Sequence, residues 1–425
     1  MRISVKTLIG SILVVIFFAA YQGGRYFMNN RLQELGLALT FALYFYGALF
    51  TAFTDRAIRW AWWFWMAPLF AGYVLISSSL AFSINAQVGI GPSLFASREF
   101  LIVFLAPALY FLYRLGFSLQ QIEKLFVMAL VIIIVNYLFF YFTIDLEAAY
   151  FSKGYMHYQV TYDEWRGYRL KAPVWALIIL TFYGLMRLFQ PDSAFNKGSW
   201  LLVLGLVFYV WSLLMARAQM AALILAAMIY PILFSRPNRM NLFILVAPLG
   251  LMLLIAVSGI LVENFMKAEG AEVRAAAYGI AWEEALKHPI FGYGQSSGYS
   301  KTYQDIFGGK FFPDDLGLVG LTFKYGFIGL ALYIFFHFYV TARLLKANWY
   351  YRKYYGTHNP LLWSLFILMT AFTFNLFLIP GLAYMQGLTT ASFAIAITAC
   401  YYEEVGLRPG KTRRSTTADS QSDGP

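Results

Sequence analysis

Apolar runs of about 20 residues recur along nearly the whole chain. That recurrence constrains the fold more than any other feature. As a helix, such a run matches the thickness of a bilayer core. In hydrocarbon every backbone N–H and C=O must be paired, which a helix does within itself. About twelve such segments are read: 4–22, 33–53, 60–82, 99–115, 122–143, 172–190, 199–215, 218–235, 241–261, 316–345, 360–379 and 382–401. The division of 199–235 rests on Arg217, and a single helix there gives eleven spans and inverts everything after it. The expectation is an all-α integral membrane domain over 1–405, without internal repeats. The tail 406–425 is rich in Ser, Thr, Asp and Arg and is expected to be disordered.

Composition agrees. The chain is 60% hydrophobic and 12% charged, where soluble domains carry about 25% charged residues. The net charge of +11 is not spread evenly. With the N-terminus in the cytoplasm, the basic excess falls on the cytoplasmic side, in short loops such as Ser235–Arg239 and the cluster Arg343, Lys346, Arg352, Lys353. That is the positive-inside pattern, and it puts both termini in the cytoplasm. The basic balance thus describes a topology, and no nucleic-acid partner is expected. Arg2 and Lys6 precede the first apolar run, which reads as an uncleaved signal anchor. Cys400 is the only cysteine, so the outside loops must be held by packing.

Two outside loops are long, 143–171 and 262–315. Loops of this length are usually functional or disordered, and their aromatic content argues for order. In the second, Glu272–Gly294 reads as an alanine-rich helix followed by His288-Pro289 and a Gly292-Tyr293-Gly294 turn. Arg274, Tyr278, Ala281, Trp282 and Ala285 share one stripe, with Glu272 and Glu283 on the opposite face. Arg274 is therefore not expected to pair with those acids. Pro289 ends the helix, and Gly292, Gly294 and Gly298 permit a sharp return toward Asp314-Asp315.

The candidate chemistry is a set of arginines and two carboxylates. Arg217 lies between apolar runs on the outer side, where topology gives no reason for it. An ionisable residue within a membrane segment is a functional candidate, against the plainer reading of an interface anchor. Arg274 is either a ligand group or a solvated charge. Arg166, Arg169 and Lys171 precede a span, where they either bind phosphate or mark the membrane edge. Arg98 beside Glu99 reads as a local pair. A guanidinium fork binds phosphate oxygens bidentately and stays charged, so converging arginines hold a diphosphate without a metal. Asp315, or Asp314, stands at the border of the tenth span and is placed to take a hydroxyl proton; ordering of the loop is the alternative. His288 reads as a helix cap, His157 as outside but isolated, and His337 and His358 as on the wrong side. Lys324 lies about 12 Å into its helix, reaching a cavity or snorkelling. Tyr278, Trp282, Tyr293 and Trp165 are candidates for stacking on sugar rings. No Walker loop is present, and the Gly-x-Gly turn does not follow a strand. Neither a cofactor nor a metal is expected.

Together these features resemble the bacterial O-antigen ligase and polymerase family. The resemblance covers roughly residues 168 to 330. It comprises Arg169 before a span, Ala216-Arg217, the block Arg274 to Gly294, and Asp314-Asp315-Leu316 leading into Tyr325-Gly326-Phe327-Ile328-Gly329-Leu330. It implies a glycosyltransferase of GT-C type in the bacterial inner membrane, acting at the periplasmic face on a glycan carried by undecaprenyl diphosphate. Residues at the positions of Arg217 and Arg274 then grip the diphosphate. The implied partners are the lipid-linked donor, an acceptor glycan, membrane lipids and a chain-length regulator. Ligases of the family carry a His, usually followed by Asn, just before the Gly-rich span; here Asp314-Asp315 stand there. The departure favours polymerisation of repeat units over transfer to lipid A-core. A flippase without chemistry is the remaining alternative, and it usually shows repeats that this chain lacks.

Overall fold

A computed structural model describes residues 4–27, 31–53, 63–152, 154–163, 167–190, 194–214, 226, 271–296, 300–308, 313–376 and 381–405. The expected spans 218–235 and 241–261 lie outside the described residues, as does the tail. Among the described residues six helices are long and apolar enough to cross a membrane: Arg31–Phe53, Pro68–Asn85, Ile90–Arg114, Leu119–Thr143, Ala194–Leu214 and Gly317–Tyr355. Val5–Ala20, Val174–Phe189 and Pro360–Phe374 are shorter apolar helices. Phe45, Phe139, Phe189 and Phe195 lie exposed on helix faces, an apolar exterior that lipid covers. The chain is a multi-pass, largely α-helical membrane protein.

The helix Met385–Glu404 is the axis of the bundle. Every residue from Met385 to Cys400 is buried. Two of its threonines are satisfied locally: Thr389 and Thr390 donate to the carbonyls of Met385 and Gln386, and the Tyr21 hydroxyl lies 2.6 Å from Thr390 Oγ1. Phe393 stacks on Phe126 with ring centroids 4.1 Å apart. At one end of the bundle Arg114 pairs with Glu403 at 3.2 Å, Tyr183 donates to Glu123 at 2.7 Å, and Gln190 donates to the His358 carbonyl at 2.9 Å. Residues 20–26, 171–175, 375 and 384–386 meet at the other end, around shared cavities. The apolar helices that these contacts join run alternately between the two ends.

Among the described residues the fold is all-α apart from one loop feature, and two local expectations are corrected. Val160–Asp163 and Gly167–Leu170 form an antiparallel hairpin in the first long loop, with Tyr162 opposite Tyr168 and their rings 4.8 Å apart. β-branched and aromatic residues favour such pairing. Arg98 does not pair with Glu99 beside it. It reaches Glu34 of another helix at 3.4 Å and lies over the Phe95 ring, because residues 98–104 wind as a 3₁₀ helix. His157 is not isolated; its ring packs against Tyr150 and its Nδ1 contacts the Tyr150 carbonyl.

The second loop packs by the device that its glycines serve. The helix Ala271–Lys287 ends just before His288-Pro289, as expected. The helix Gly317–Tyr355 is broken at Gly326, whose φ of 66° and ψ of −175° are not helical. Phe327 donates instead to the Pro289 carbonyl at 2.8 Å. The freed carbonyls of Phe323 and Lys324 accept from Tyr293 and Gly294 at 2.7 and 3.1 Å. Gly294, at φ 111°, is so close to Phe82 that an added Cβ would lie 2.2 Å from its backbone nitrogen. A π turn over Val74–Ser78 presents the Ser78 carbonyl to Gln295 N–H at 3.3 Å. Asn85 donates to the Tyr293 carbonyl at 3.1 Å.

Gly326→Ala places a Cβ 2.2 Å from the Ile290 carbonyl oxygen and adds left-handed strain of roughly 1–2 kcal/mol. It is expected to lower the thermal midpoint of the detergent-purified protein by several degrees. Gly279→Ala, on the exposed face of a helix with nothing within 4 Å of the added Cβ, is expected to leave it unchanged or raise it, since Ala gains about 1 kcal/mol over Gly in a helix. Equal midpoints for the two variants would refute the docking role of Gly326.

Candidate functional site

The chamber at the loop end of the bundle is built by several separate segments. The first span ends in Gln22-Gly23-Gly24-Arg25, where Gln22 holds a left-handed conformation at φ 59°. Gln33 comes from the start of Arg31–Phe53, Glu99 from the 3₁₀ segment, and Tyr155, Tyr158 and Gln159 from a 3₁₀ turn before the hairpin. Lys171 follows the second strand, and Gln304 comes from the short helix Lys301–Phe307. These residues line a half-open cavity of about 590 Å³. A second cavity of about 260 Å³ shares Gln22 and Arg25 with it and runs on past Trp175, Phe372, Asn375, Tyr384 and Gln386. Trp175 lies flat against Phe372 with centroids 3.9 Å apart.

Backbone contacts fix the cationic edge. Tyr26 donates to the Lys171 carbonyl at 2.6 Å, and the Lys171 N–H donates to the Gln159 carbonyl at 2.8 Å. Burial pushes the Lys171 ammonium below the usual lysine range; Arg25 pushes it further, and Asp315 opposes both. Lys171 thus gives up its proton sooner as pH rises than an exposed lysine does, and a negative charge placed beside it draws its pKa back up. Burial raises the Tyr155 hydroxyl, with Arg25 as the opposing influence.

The expected site residues are distributed unevenly about this chamber. Asp315 lies exposed in the 3₁₀ turn Pro313–Asp315 and is electrostatically coupled to Lys171. Arg169 sits on the second strand, half-buried, and its Nη1 donates to the Leu214 carbonyl at 3.2 Å, at the end of Ala194–Leu214. It thereby caps the helix that leads toward Arg217. Arg217, Arg166 and Trp165 lie outside the described residues; Arg274 and Asp314 have described backbone only. Ala277, Ala281 and Ala285 are buried, and Tyr278 packs against a cluster of Phe82, Tyr303, Phe307 and Phe323. The alanine-rich stripe is therefore largely a packing face. Tyr293 stacks on Phe323 at 5.4 Å with an interplanar angle of 7°. Trp282 is 44% exposed, with its ring edge-on to Phe327. Lys324 is buried beside the helix break. Among the described residues no three His, Cys, Asp or Glu side chains converge as a metal site would require.

Gln22, Arg25, Gln33, Tyr155, Tyr158, Gln159 and Gln304 are the chamber residues that sequence reasoning missed. One signal was available: Arg25 is a cation just after the first apolar helix, on the side expected to be outside, where the positive-inside pattern does not ask for one. The glutamines carried none, because their convergence depends on tertiary structure.

No curated protein matches the chain. Residues 200–334 match the family model described as O-antigen ligase. The matched segment includes the loop helix, the Gly292-Tyr293-Gly294 turn and the break at Gly326 that receives it. Over these residues the chain is similar to the O-antigen ligase family.

Proposed function

We propose that the protein is a membrane glycosyltransferase that polymerises oligosaccharide repeat units carried on undecaprenyl diphosphate, at the periplasmic face of the bacterial inner membrane. One observation carries the reading: the O-antigen ligase segment holds Asp315 within electrostatic reach of Lys171, on the wall of a polar chamber at one end of the bundle. The architecture that goes with it is a GT-C-like bundle of about twelve spans, both termini cytoplasmic and both long loops periplasmic. The partners are the lipid-linked donor, an acceptor glycan and a chain-length regulator.

In this reaction an acceptor hydroxyl oxygen attacks the anomeric carbon of the donor. The bond from that carbon to the phosphate oxygen breaks, and the undecaprenyl diphosphate leaves with the electron pair. Arg217 and Arg274 stabilise the departing charge, with Arg166 and Arg169 as further candidates. Fixed cations aimed at developing charge are the largest contribution such a site makes. Asp315 takes the hydroxyl proton, with Asp314 as the alternative base, and no metal takes part. Trp282 offers its exposed face to a sugar. Transfer to lipid A-core is the second reading, supported by the O-antigen ligase description of the matching family. The acids at 314 and 315, where the ligase pattern has His, favour polymerisation.

Three measurements test this. Reporter fusions after Ser300 and after Gly406 are expected to read periplasm and cytoplasm respectively; a cytoplasmic signal at Ser300 overturns the site. Arg217→Ala and Arg274→Ala are each expected to abolish polymer at normal membrane levels, and Lys to rescue only in part, since a point charge replaces a bidentate fork. Full polymer from Arg274→Ala at equal expression removes that residue from the mechanism. Asp315→Asn is expected to cut turnover by about 10²–10⁴-fold with donor affinity nearly intact and to leave Lys171 without the carboxylate that supports its charge. Wild-type turnover by the variant would dismiss Asp315 as base, and loss of wild-type activity in chelator would overturn the metal-independent mechanism.

A further inference from the structure

The chamber's own walls say what it is suited to hold. Of the nine side chains around the larger cavity four are carboxamides, Gln22, Gln33, Gln159 and Gln304, and two are tyrosines, Tyr155 and Tyr158. A carboxamide presents a donor and an acceptor side by side, which is the pattern that a pair of neighbouring hydroxyls on a sugar ring meets. The volume of about 590 Å³ falls in the range of small-ligand sites, roughly 300–1,000 Å³. The wall carries little net charge: Arg25 and Lys171 stand against Glu99, and Asp315 acts on Lys171 from outside the lining. A site for a diphosphate would carry a larger cationic excess.

Two further features set the chamber apart from a packing defect. Gln22 holds a left-handed φ of 59°, a conformation that costs a non-glycine residue free energy and that marks functional sites when it persists. It persists at the one place where both cavities meet, directly before two glycines that would adopt it at no cost. Gln159 is 7% exposed, and its Oε1 is buried without a hydrogen-bond partner. An unsatisfied buried acceptor costs stability, and a turn of the amide group brings the oxygen to the cavity.

We infer that the chamber formed by Gln22, Gln33, Gln159 and Gln304 around Arg25 and Lys171 is a binding subsite for an uncharged saccharide, the acceptor sugar of the transfer reaction. The assignment of that sugar as the acceptor rests on the glycosyltransferase reading above; the saccharide specificity rests on the chamber alone. Gln22 and Gln159 are its specificity-determining residues, and Asp315 acts electrostatically on its Lys171. The smaller cavity, with Trp175 on its wall, extends the same subsite for the next sugar ring.

The test uses the full chain in lipid nanodiscs and two probes. One is the repeat-unit oligosaccharide released by mild acid from the lipid carrier of the source strain; the other is undecaprenyl diphosphate without sugar. Affinities are measured by titration calorimetry for the wild type, Gln22→Gly, Gln159→Leu and Gln159→Glu. Gln22→Gly and Gln159→Leu are each expected to weaken the oligosaccharide about tenfold, the loss of one well-made hydrogen bond, and to change undecaprenyl diphosphate affinity less than twofold. Their thermal midpoints are expected to match or exceed the wild type, because one substitution relieves strain and the other removes an unsatisfied acceptor. Gln159→Glu keeps the acceptor oxygen and is expected to retain affinity within threefold. Undiminished oligosaccharide binding by both Gln22→Gly and Gln159→Leu overturns the subsite, as does absence of oligosaccharide binding to the wild type. A fall in undecaprenyl diphosphate affinity instead overturns it in favour of a diphosphate site. If the variants lose oligosaccharide as expected while wild-type membranes lengthen no glycan, the transferase reading fails and the saccharide subsite stands.

Discussion

The break at Gly326 is the constraint on which the loop end of the bundle depends. An unbroken helix pairs its own carbonyls and has nothing to offer a loop. Here Phe327 N–H turns to Pro289, and the carbonyls of Phe323 and Lys324 accept from Tyr293 and Gly294. A loop outside a bilayer competes with water for such bonds. Buried between Phe82 and Phe323, this one makes them where an unpaired amide costs several kcal/mol relative to water (about 4–8 in a fully apolar medium). The geometry needs three glycines at once, since Gly292, Gly294 and Gly326 all hold positive φ and backbone lies within 2.6 Å of each added Cβ. The turn and the break are two halves of one joint.

That joint reaches the chamber by short physical links. Tyr303 contacts the Gly294 carbonyl and accepts from Ser296 N–H through its hydroxyl, which seats the short helix Lys301–Phe307. The same helix contributes Gln304 to the chamber wall. Tyr325, next to the break, donates to Gln295 at 3.0 Å. The segment then passes through Pro313–Asp315, where Leu318 N–H bonds the Leu376 carbonyl at 3.1 Å. Asp315 is held near Lys171 by the same stretch of chain that carries the loop helix. Catalytic geometry in the proposed reaction thus depends on glycines far from any reacting atom.

Much of this was legible in the sequence. Long apolar runs dictate helices because hydrocarbon tolerates no unpaired backbone, and Arg31–Phe53 and Leu119–Thr143 fall where the runs predict them. Pro289 stops its helix because the residue before a proline avoids the α region, and the helix does end at Lys287. The sharp return at Gly292 and Gly294 was equally readable. The break at Gly326 was not, since Tyr325-Gly326-Phe327 sits within an apolar run and a lone glycine is tolerated in a helix. The hairpin at Val160–Leu170 was hidden because four-residue strands leave little periodicity. The Arg98–Glu34 pair was hidden for a different reason: adjacency in sequence, Arg98 to Glu99, says nothing of direction on a 3₁₀ helix. Arg25, Gln22 and Gln159 come from segments more than 130 residues apart in sequence and meet only through the fold. The two arginines proposed for the diphosphate, Arg217 and Arg274, have no described side chains, so their roles rest on sequence.

The charge distribution gives the final step. Basic residues gather at the Arg114 and Arg343 end of the bundle, where Arg114 pairs with Glu403 and Arg343 donates to Thr398 and Tyr339. In the proposed topology that end faces the cytoplasm, where the positive-inside pattern accounts for its cations. The same topology asks for no cation at the opposite end, so each one there calls for a local reason. Arg98 has one in Glu34, and Arg169 has one in the carbonyl of Leu214. Arg25 and Lys171 have theirs in a polar cavity, where Lys171 is buried enough for its pKa to fall even with Asp315 in reach. A partly buried ammonium held near a guanidinium is costly unless polar ligand atoms share the burden. In the proposed reaction the acceptor hydroxyl supplies those atoms, and Asp315, within electrostatic reach of Lys171, receives its proton.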